Sequence, residues 1–363
     1  MKELGIAIFS GLEQTVEQNL NYLHLARRCG YSRLFTSLHI PESDASGLVQ
    51  DTRRVLACAA ELGYFVTADI SPATWQQFGI GPAQLKTLGI ATVRIDYGVS
   101  LSEMRAISES ANVNVEVNAS VLSQAGLALL FDAGFAAERL SACHNYYPRP
   151  ETGLSFSLLI ERSRPYLSHG IPVGAFIPNR GNPRGPIFAG LPTVEEHRRL
   201  SAVEAARQLW ASGVIDTIFW GDPLVSETAL RSIAGLPRLD EPIITMRLII
   251  ESETVSEQER ALVFLPVHTN RCDAAAVVIR SQETRNLCRR PVPPHDHRCR
   301  RRGDVTVDNV NYGRYMGEVQ IVLQDLPTDD RVNVIGRIAD EDLCMLECLF
   351  PGRQFCFSEV TRS

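Results

Sequence analysis

A chain of 363 residues, 45% apolar and 21% charged, has room for one large domain and a smaller one, each with a core of its own. A formal net charge of -6 argues against a general nucleic-acid binder, and no apolar run reaches the ~18 residues a transmembrane helix needs. Neither nucleic acid nor membrane is therefore expected as a partner. Nine cysteines, odd in number and without paired spacing, read as reduced, mostly buried thiols of a cytoplasmic protein. The opening run Met1–Phe9 is too short for a signal peptide and reads as a strand.

Leu4–Phe9 is the first predicted strand, and Val16–Arg28 a helix closed by Gly30. Arg33–Leu38 is the second strand, running into His39, and Leu48–Leu62 a helix stopped by Gly63. The third strand ends at Asp69, where Ser71 and Pro72 open a helix with a capping residue and a proline at the first helical position. Strand four ends at Asp96 before helix Leu101–Ala111, strand five at Asn118 before helix Ser123–Ala133, and strand six at His144 before helix Phe156–His169. Pro172–Phe176 is strand seven. It is followed by a Gly/Pro-rich loop, by Thr193–Glu196 read as a capping box, and by helix Ser201–Ser212. Thr217–Trp220 is strand eight, ending at Gly221, Asp222 and Pro223, and Ser226–Ala234 the last helix. Eight strand–helix units in about 235 residues fit an α/β (β/α)₈ barrel, whose usual length is ~250. An open doubly wound sheet is the weaker choice, because no Gly-x-Gly-x-x-Gly follows the first strand.

Gly235–Pro242 reads as a linker, and the texture then changes. Ile243–Ile250, Ala274–Ile279, Asp304–Val307, Glu318–Leu323 and Val332–Ile338 are strand-like, with one short helix at Asp340–Leu349. The expected domains are a barrel over 1–238 and a smaller, mostly-β barrel over 243–363.

The ends of barrel strands build active sites in this fold. Asp69 and Asp96 stand last on neighbouring strands, and helix capping is their bland alternative. Residues two apart on a strand share a face, so Arg94 lies behind Asp96 and Glu116 behind Asn118. Glu116 is then either a working carboxylate or half of a buried ion pair with Arg94. Paired carboxylates at a barrel mouth suit glycosidic cleavage, one protonating the leaving oxygen and the other attacking carbon or activating water. His144–Arg149 is a dense polar-aromatic run suited to an anionic sugar. Arg180 and Arg184 sit in the loop after strand seven, a common phosphate position in this fold. Cys288, His295, His297 and Cys299 match no usual zinc spacing, so neither a metal nor a cofactor is expected. The basic run Arg298–Arg302 reads as a solvated loop.

Several motifs together resemble one bacterial family, the 6-phospho-N-acetylmuramidases. They are Phe35–His39, Arg94–Gly98, Asn118–Ser120, His144–Leu154, Arg184–Pro186 with Gly190–Arg198, and Gly303-Asp304 with Tyr312–Tyr315. The resemblance spans nearly the whole chain and implies a TIM barrel followed by a cyclophilin-like β-barrel domain. It also implies hydrolysis of a 6-phosphorylated N-acetylmuramic acid–N-acetylglucosamine disaccharide in cell-wall recycling. Catalysis would fall to Asp69, Asp96 and Glu116. Substrate contacts would fall to His39, Asn118, His144, Asn145, Tyr147, Arg149 and Arg184, with Arg280, Asn309, Tyr312 and Arg314 from the second domain. Among these, Arg149 and then Arg184 rank first as phosphate ligands. One departure stands out: the chain reads Phe9-Ser10-Gly11-Leu12-Glu13 where the family often has Tyr-Pro-Glu, which displaces an acid near strand one. Left open are another sugar-phosphate barrel enzyme (an isomerase or lyase), a non-catalytic sugar binder, the stereochemical course, and whether the protein is a homodimer. A Schiff-base aldolase is disfavoured, since Lys2 and Lys86 are the only lysines and neither ends a strand.

Overall fold

The structure is a computed structural model. It describes the chain except residues 1, 39–44, 72–74, 76–77, 80, 96–97, 238–242 and 362–363, and the side chains of 45–47. The chain divides into two compact units, Met1–Leu239 and Asp240–Ser363.

The first unit is a closed barrel of eight parallel strands in sequence order. They are β1 (Glu3–Ile8), β2 (Arg33–Ser37), β3 (Phe65–Asp69), β4 (Ile90–Arg94), β5 (Asn114–Asn118), β6 (Leu140–Cys143), β7 (Val173–Ile177) and β8 (Thr217–Trp220). The described helices are α1 (Val16–Arg28), α2 (Ala45–Glu61), α3 (Leu101–Ala111), α4 (Gln124–Asp132), α5 (Phe156–Ser168), α6 (Ala202–Ala211) and α7 (Glu227–Ala234). Serine or threonine caps set most of their starts, for instance Thr15, whose hydroxyl accepts from the Gln18 N–H while the Gln18 side chain accepts from the Thr15 N–H. The helix expected after Ser71 falls largely on residues outside the described ones, and the described Trp75 and Phe78 within it are helical; two 3₁₀ turns, Pro82–Gln84 and Lys86–Leu88, follow before β4.

Alternation sorts each strand between the two sides of the barrel wall. Ile6 and Ile8, Val66 and Ala68, and Val115 and Val117 all lie buried on the helix-covered side. On the inner side Ala7, Phe9, Phe35, Cys143, Phe176 and Phe219 form one cluster. Gly5 makes room for it, since a Cβ there would lie 2.3 Å from the Phe219 ring.

The capping box expected at Thr193–Glu196 is not formed. The Thr193 hydroxyl accepts from the Phe176 N–H and donates to the Asn145 carbonyl, both at 2.9 Å. The box that starts the helix is Ser201 with Glu204. Of the cysteines, Cys29, Cys143 and Cys348 are buried and the other six reach the surface in whole or in part, so the expected burial holds for a minority.

The second unit is a mixed seven-stranded sheet: β9 (Ile243–Ile250), β10 (His268–Thr269), β11 (Val278–Arg280), β12 (Asp304–Asp308), β13 (Val319–Val322), β14 (Val332–Ile338) and β15 (Gln354–Val360), in the order β10-β15-β9-β14-β12-β13-β11. Only β15 with β9 pairs in parallel. Sequence patterning missed β10, β15 and the helix Glu257–Val263, and what looked like a helix at its C-terminal end is a 3₁₀ run, Asp340–Cys348.

Candidate active site

Strand register brings four polar residues into one row around the barrel. Ser37 pairs with Asp69, Asp69 with Arg94, and Arg94 with Glu116. Residues in register on neighbouring parallel strands point the same way, so the row runs along the inner wall at the C-terminal ends of β2 to β5. Asp69 is half-exposed and accepts a hydrogen bond from the Ser37 hydroxyl at 3.2 Å. Arg94 and Glu116 are buried, with Nη1 3.8 Å from Glu116 Oε1. The Arg94 guanidinium also donates to the Cys143 carbonyl at 3.2 Å and to Asn145 Oδ1. Glu116 thus stands as the buried counter-ion of Arg94, and Asp69 is the carboxylate that reaches the mouth.

Asn118 is half-exposed at the end of β5, where its Oδ1 caps the turn by accepting from the Ser120 N–H at 3.0 Å. His144 does not face the mouth. It follows Cys143, whose side chain points inward, so alternation turns the imidazole outward under α5, where it is wholly buried. Burial, with Arg94 nearby, lowers its pKa to about 3, so the ring is neutral.

The other side of the interior is aromatic. The Tyr146 ring packs edge-on against Phe9, Phe35 and Phe176 at centroid distances of 5.8, 6.4 and 5.1 Å. Burial pushes its phenol above the ordinary value. Arg184 and Arg94 act against that rise and Asp69 adds to it, so three charges surround one hydroxyl. The Arg184 guanidinium lies 4.4 Å over the Phe9 ring and 5.6 Å over Tyr146.

Arg184 is held there by its loop. Buried Asp222, just after β8, accepts backbone N–H bonds from Asn179 and Leu191 through Oδ2 and from Arg184 through Oδ1, at 2.8 to 3.0 Å. Burial raises the Asp222 pKa, and those three bonds oppose the rise. Next to it Gly221 must stay small, since a Cβ would meet the Leu191 carbonyl at 2.4 Å. Arg198 ties this loop to the one after β6, donating to the carbonyls of Tyr147, Arg149, Ala189 and Gly190. Its partner Glu195 accepts from the N–H groups of Glu151 and Gly153. Burial works against the Glu195 charge, but Arg198 and the two amides outweigh it and hold the carboxyl at about 2.

The comparisons with known proteins bear on what this site serves. The N-terminal family model of 6-phospho-N-acetylmuramidase matches residues 4–235, and the C-terminal one matches residues 245–358. The chain belongs to the 6-phospho-N-acetylmuramidase family. Two solved structures are similar along their whole length. One is an uncharacterised protein of B. cereus (29% identity, TM-score 0.75, covering 99% of this chain and 100% of that one). The other is a conserved Enterococcus faecalis protein of unknown function (34% identity, TM-score 0.62, covering 98% and 96%). No curated protein matches.

Family membership makes this chain a 6-phospho-N-acetylmuramidase-type glycoside hydrolase acting on a phosphorylated amino-sugar disaccharide. The residues expected from sequence fall into three groups. Asp69, Asn118, Asn145 and Arg184 gather at the mouth with Glu116 buried beside Arg94, whereas His39 and Asp96 lie outside the described residues. The third group lies on the loops beyond the strand ends. Tyr147 engages the neighbouring loop through its main chain, bonding Pro192 and Arg198, and it is Tyr146 whose ring joins the interior. The side chains of Arg149 and Arg180 are exposed. Glu13, the displaced acid, is exposed with its carboxylate against Gly185.

In the second unit Arg280 is clasped by buried Glu318 through two bonds of 2.7 and 2.9 Å. Asn309 is buried, and its amide bonds to Asp330, Asn333 and Asn311. Tyr312 lies under Arg331 at 4.6 Å, and Arg314 over Tyr315 at 5.0 Å. Among the described residues no group of three or more histidine, cysteine or acidic side chains is arranged to hold a metal ion, and no helix is long and apolar enough to cross a membrane. Sequence reading missed Tyr146, Asp222 and Arg198. Their only signals were a tyrosine doublet, an Asp after a strand and an Arg inside a family-like motif.

Proposed function

We propose that this hydrolase splits the 6-phosphorylated N-acetylmuramic acid–N-acetylglucosamine disaccharide at the mouth formed by β3 to β6, with Asp69 at the sugar and Arg184 on the phosphate. The observation that carries this is the row Ser37–Asp69–Arg94–Glu116, which presents one half-exposed carboxylate beside a buried cation. Hydrolysis needs a proton delivered to the leaving oxygen and a water stripped of one proton as it attacks the anomeric carbon. Asp69 supplies one of these two roles, and Asp96, two residues after β4 ends at Arg94, is the candidate for the other. Glu116 keeps Arg94 charged and fixed. Arg184, backed by the faces of Phe9 and Tyr146, offers its N–H edges to an anionic oxygen. The barrel over 1–238 is read as the catalytic domain and 243–363 as a separate β domain, in a cytosolic step of cell-wall recycling.

Purified protein incubated with the phosphorylated disaccharide should release two monosaccharides. Asp69→Asn should lower kcat by ~10²-fold or more with folding retained, the usual worth of general acid–base catalysis. A folded Asp69→Asn enzyme with near wild-type kcat would remove Asp69 from the reaction. Equal cleavage of the unphosphorylated disaccharide would remove phosphate recognition.

A further inference from the structure

Four hydrogen bonds fix both the tautomer of His144 and the direction of a chain through it. The Ser163 hydroxyl donates to the Leu159 carbonyl one turn back in α5, at 2.7 Å. Its hydrogen is thereby used, so the 2.9 Å contact between Ser163 Oγ and His144 Nε2 requires Nε2 to carry the proton. A neutral ring then has a bare Nδ1, which accepts from the Ser120 hydroxyl at 3.3 Å. Ser120 Oγ in turn accepts from the Asn145 N–H at 2.9 Å. The opposite tautomer fails at Ser163, where bare Nε2 would face a hydroxyl whose hydrogen is committed to Leu159.

The chain ends at the residue that holds Arg94. The Asn145 Oδ1 takes the Arg94 guanidinium, and its carbonyl takes the Thr193 hydroxyl. With the N–H bound to Ser120, three of the four polar groups of Asn145 are fixed. We propose that His144 is a positioning residue of the reaction: as a neutral Nε2–H imidazole it carries a one-way hydrogen-bond chain from α5 through Ser120 to Asn145, and so aims the Asn145–Arg94 pair at the mouth. The inference rests on the reading that the β3–β6 side carries the chemistry, but assigns a role that no contact with substrate would reveal.

The test uses the two amide variants of one residue. In His144→Asn the Oδ1 falls near the place of Nδ1 and still accepts from Ser120. In His144→Gln the amide nitrogen falls near Nε2 and still serves Ser163, while the Ser120 side is lost. Ser120→Ala, a smaller change, removes the middle of the chain. Turnover should stay near wild type in His144→Asn. It should fall about 10- to 100-fold in His144→Gln and Ser120→Ala, the scale of a misplaced catalytic array, with KM little changed. Equal kcat in the two His144 variants, or wild-type kcat in Ser120→Ala, would overturn the proposal. Ser120→Ala decides it if neither His144 variant folds. Asp69→Asn is assayed alongside. If it is active, the site reading fails; if it is inactive while the chain variants match wild type, the bridge alone fails.

Discussion

Between β3 and β6 the inward side of the barrel is dominated by Asp69, Arg94, Glu116, Asn118 and Asn145. From β7 round to β2 it is dominated by Phe176, Phe219, Phe9 and Phe35, with Tyr146 closing over them. The two sides differ in what holds them. The polar side depends on charge and on hydrogen-bond direction, so each group there has few acceptable replacements. The aromatic side depends on volume and shape, and its rings exclude water while keeping one arginine, Arg184, at the rim. The proposed function would place chemistry and binding on opposite styles of packing within one wall.

Substitutions that separate charge from shape expose the difference most strongly. Glu116→Gln keeps the shape of the side chain and removes its charge beside buried Arg94. Breaking one partner of a buried pair costs about 3–5 kcal/mol, and the denaturant midpoint should fall accordingly. Phe35→Leu keeps apolar character and most of the volume, and should cost roughly 1.5 kcal/mol or less, the range of conservative core swaps. Phe35→Ala, which opens a cavity, should cost about 3–5 kcal/mol. If Glu116→Gln proves as stable as wild type, the polar side is not held by charge and the contrast disappears.

A smaller effect is expected where the aromatic side meets the substrate. A charge-assisted bond to phosphate contributes roughly 1.5–3 kcal/mol, which is about 10- to 150-fold in kcat/KM. Arg184→Ala should lose that much on the phosphorylated disaccharide and little on its unphosphorylated analogue. Arg149→Ala, whose side chain is exposed on the neighbouring loop, should stay near wild type on both. The reverse ranking would move the phosphate from the β7 loop to the β6 loop.

The polar side was the legible one. An acid or arginine interrupting a short apolar run is conspicuous, and period-2 alternation already paired Arg94 with Glu116 and ended strands at Asp69 and Asn118. Register added what spacing along one strand cannot give, namely that Asp69, Arg94 and Glu116 are neighbours in a row. The aromatic side was silent, because Phe9, Phe35, Phe176 and Phe219 look like any core residue until closure of the barrel turns them inward. Past a strand end alternation stops, which is why Tyr146 and Tyr147 could not be told apart. His144 misled for a related reason: it sits in a polar run at the mouth, yet the inward turn of Cys143 sends it to the helix side. In the second domain β15 was missed although its parallel partner β9, more than a hundred residues earlier in sequence, was read as a strand.

The mildest effect concerns protons, and it separates the two domains as well as the two sides. Burial holds His144 at about 3 and His197, whose Nε2 meets Gln208 Oε1 at 2.8 Å, at about 4, both below the ordinary 6.5. Below pH 6.5 the unfolded chain binds protons at these sites and the folded barrel does not. Barrel stability therefore falls as pH drops, by about 1.3 kcal/mol per histidine between pH 7 and 5.5. In the second domain Asp308 leans the other way. Burial first, then Glu318 and Asp329, raise it to about 8 from the usual 3.8, so it stays protonated when folded and ionises when unfolded, and stability there falls as pH rises from about 4 to 8. The three tryptophans, Trp75, Trp210 and Trp220, all belong to the barrel, so their fluorescence reports its unfolding alone. Urea titrations followed by that signal should show the midpoint dropping from pH 7 to 5.5, with a shallower drop in His197→Gln. Asp308→Asn should leave the tryptophan midpoint's pH dependence unchanged while flattening the loss of stability toward pH 8 in the unfolding that the tryptophans do not see. A pH dependence of the tryptophan midpoint that is the same in His197→Gln as in wild type would mean that His197 is not held neutral by burial, since other barrel groups such as Asp222 also contribute to the net trend.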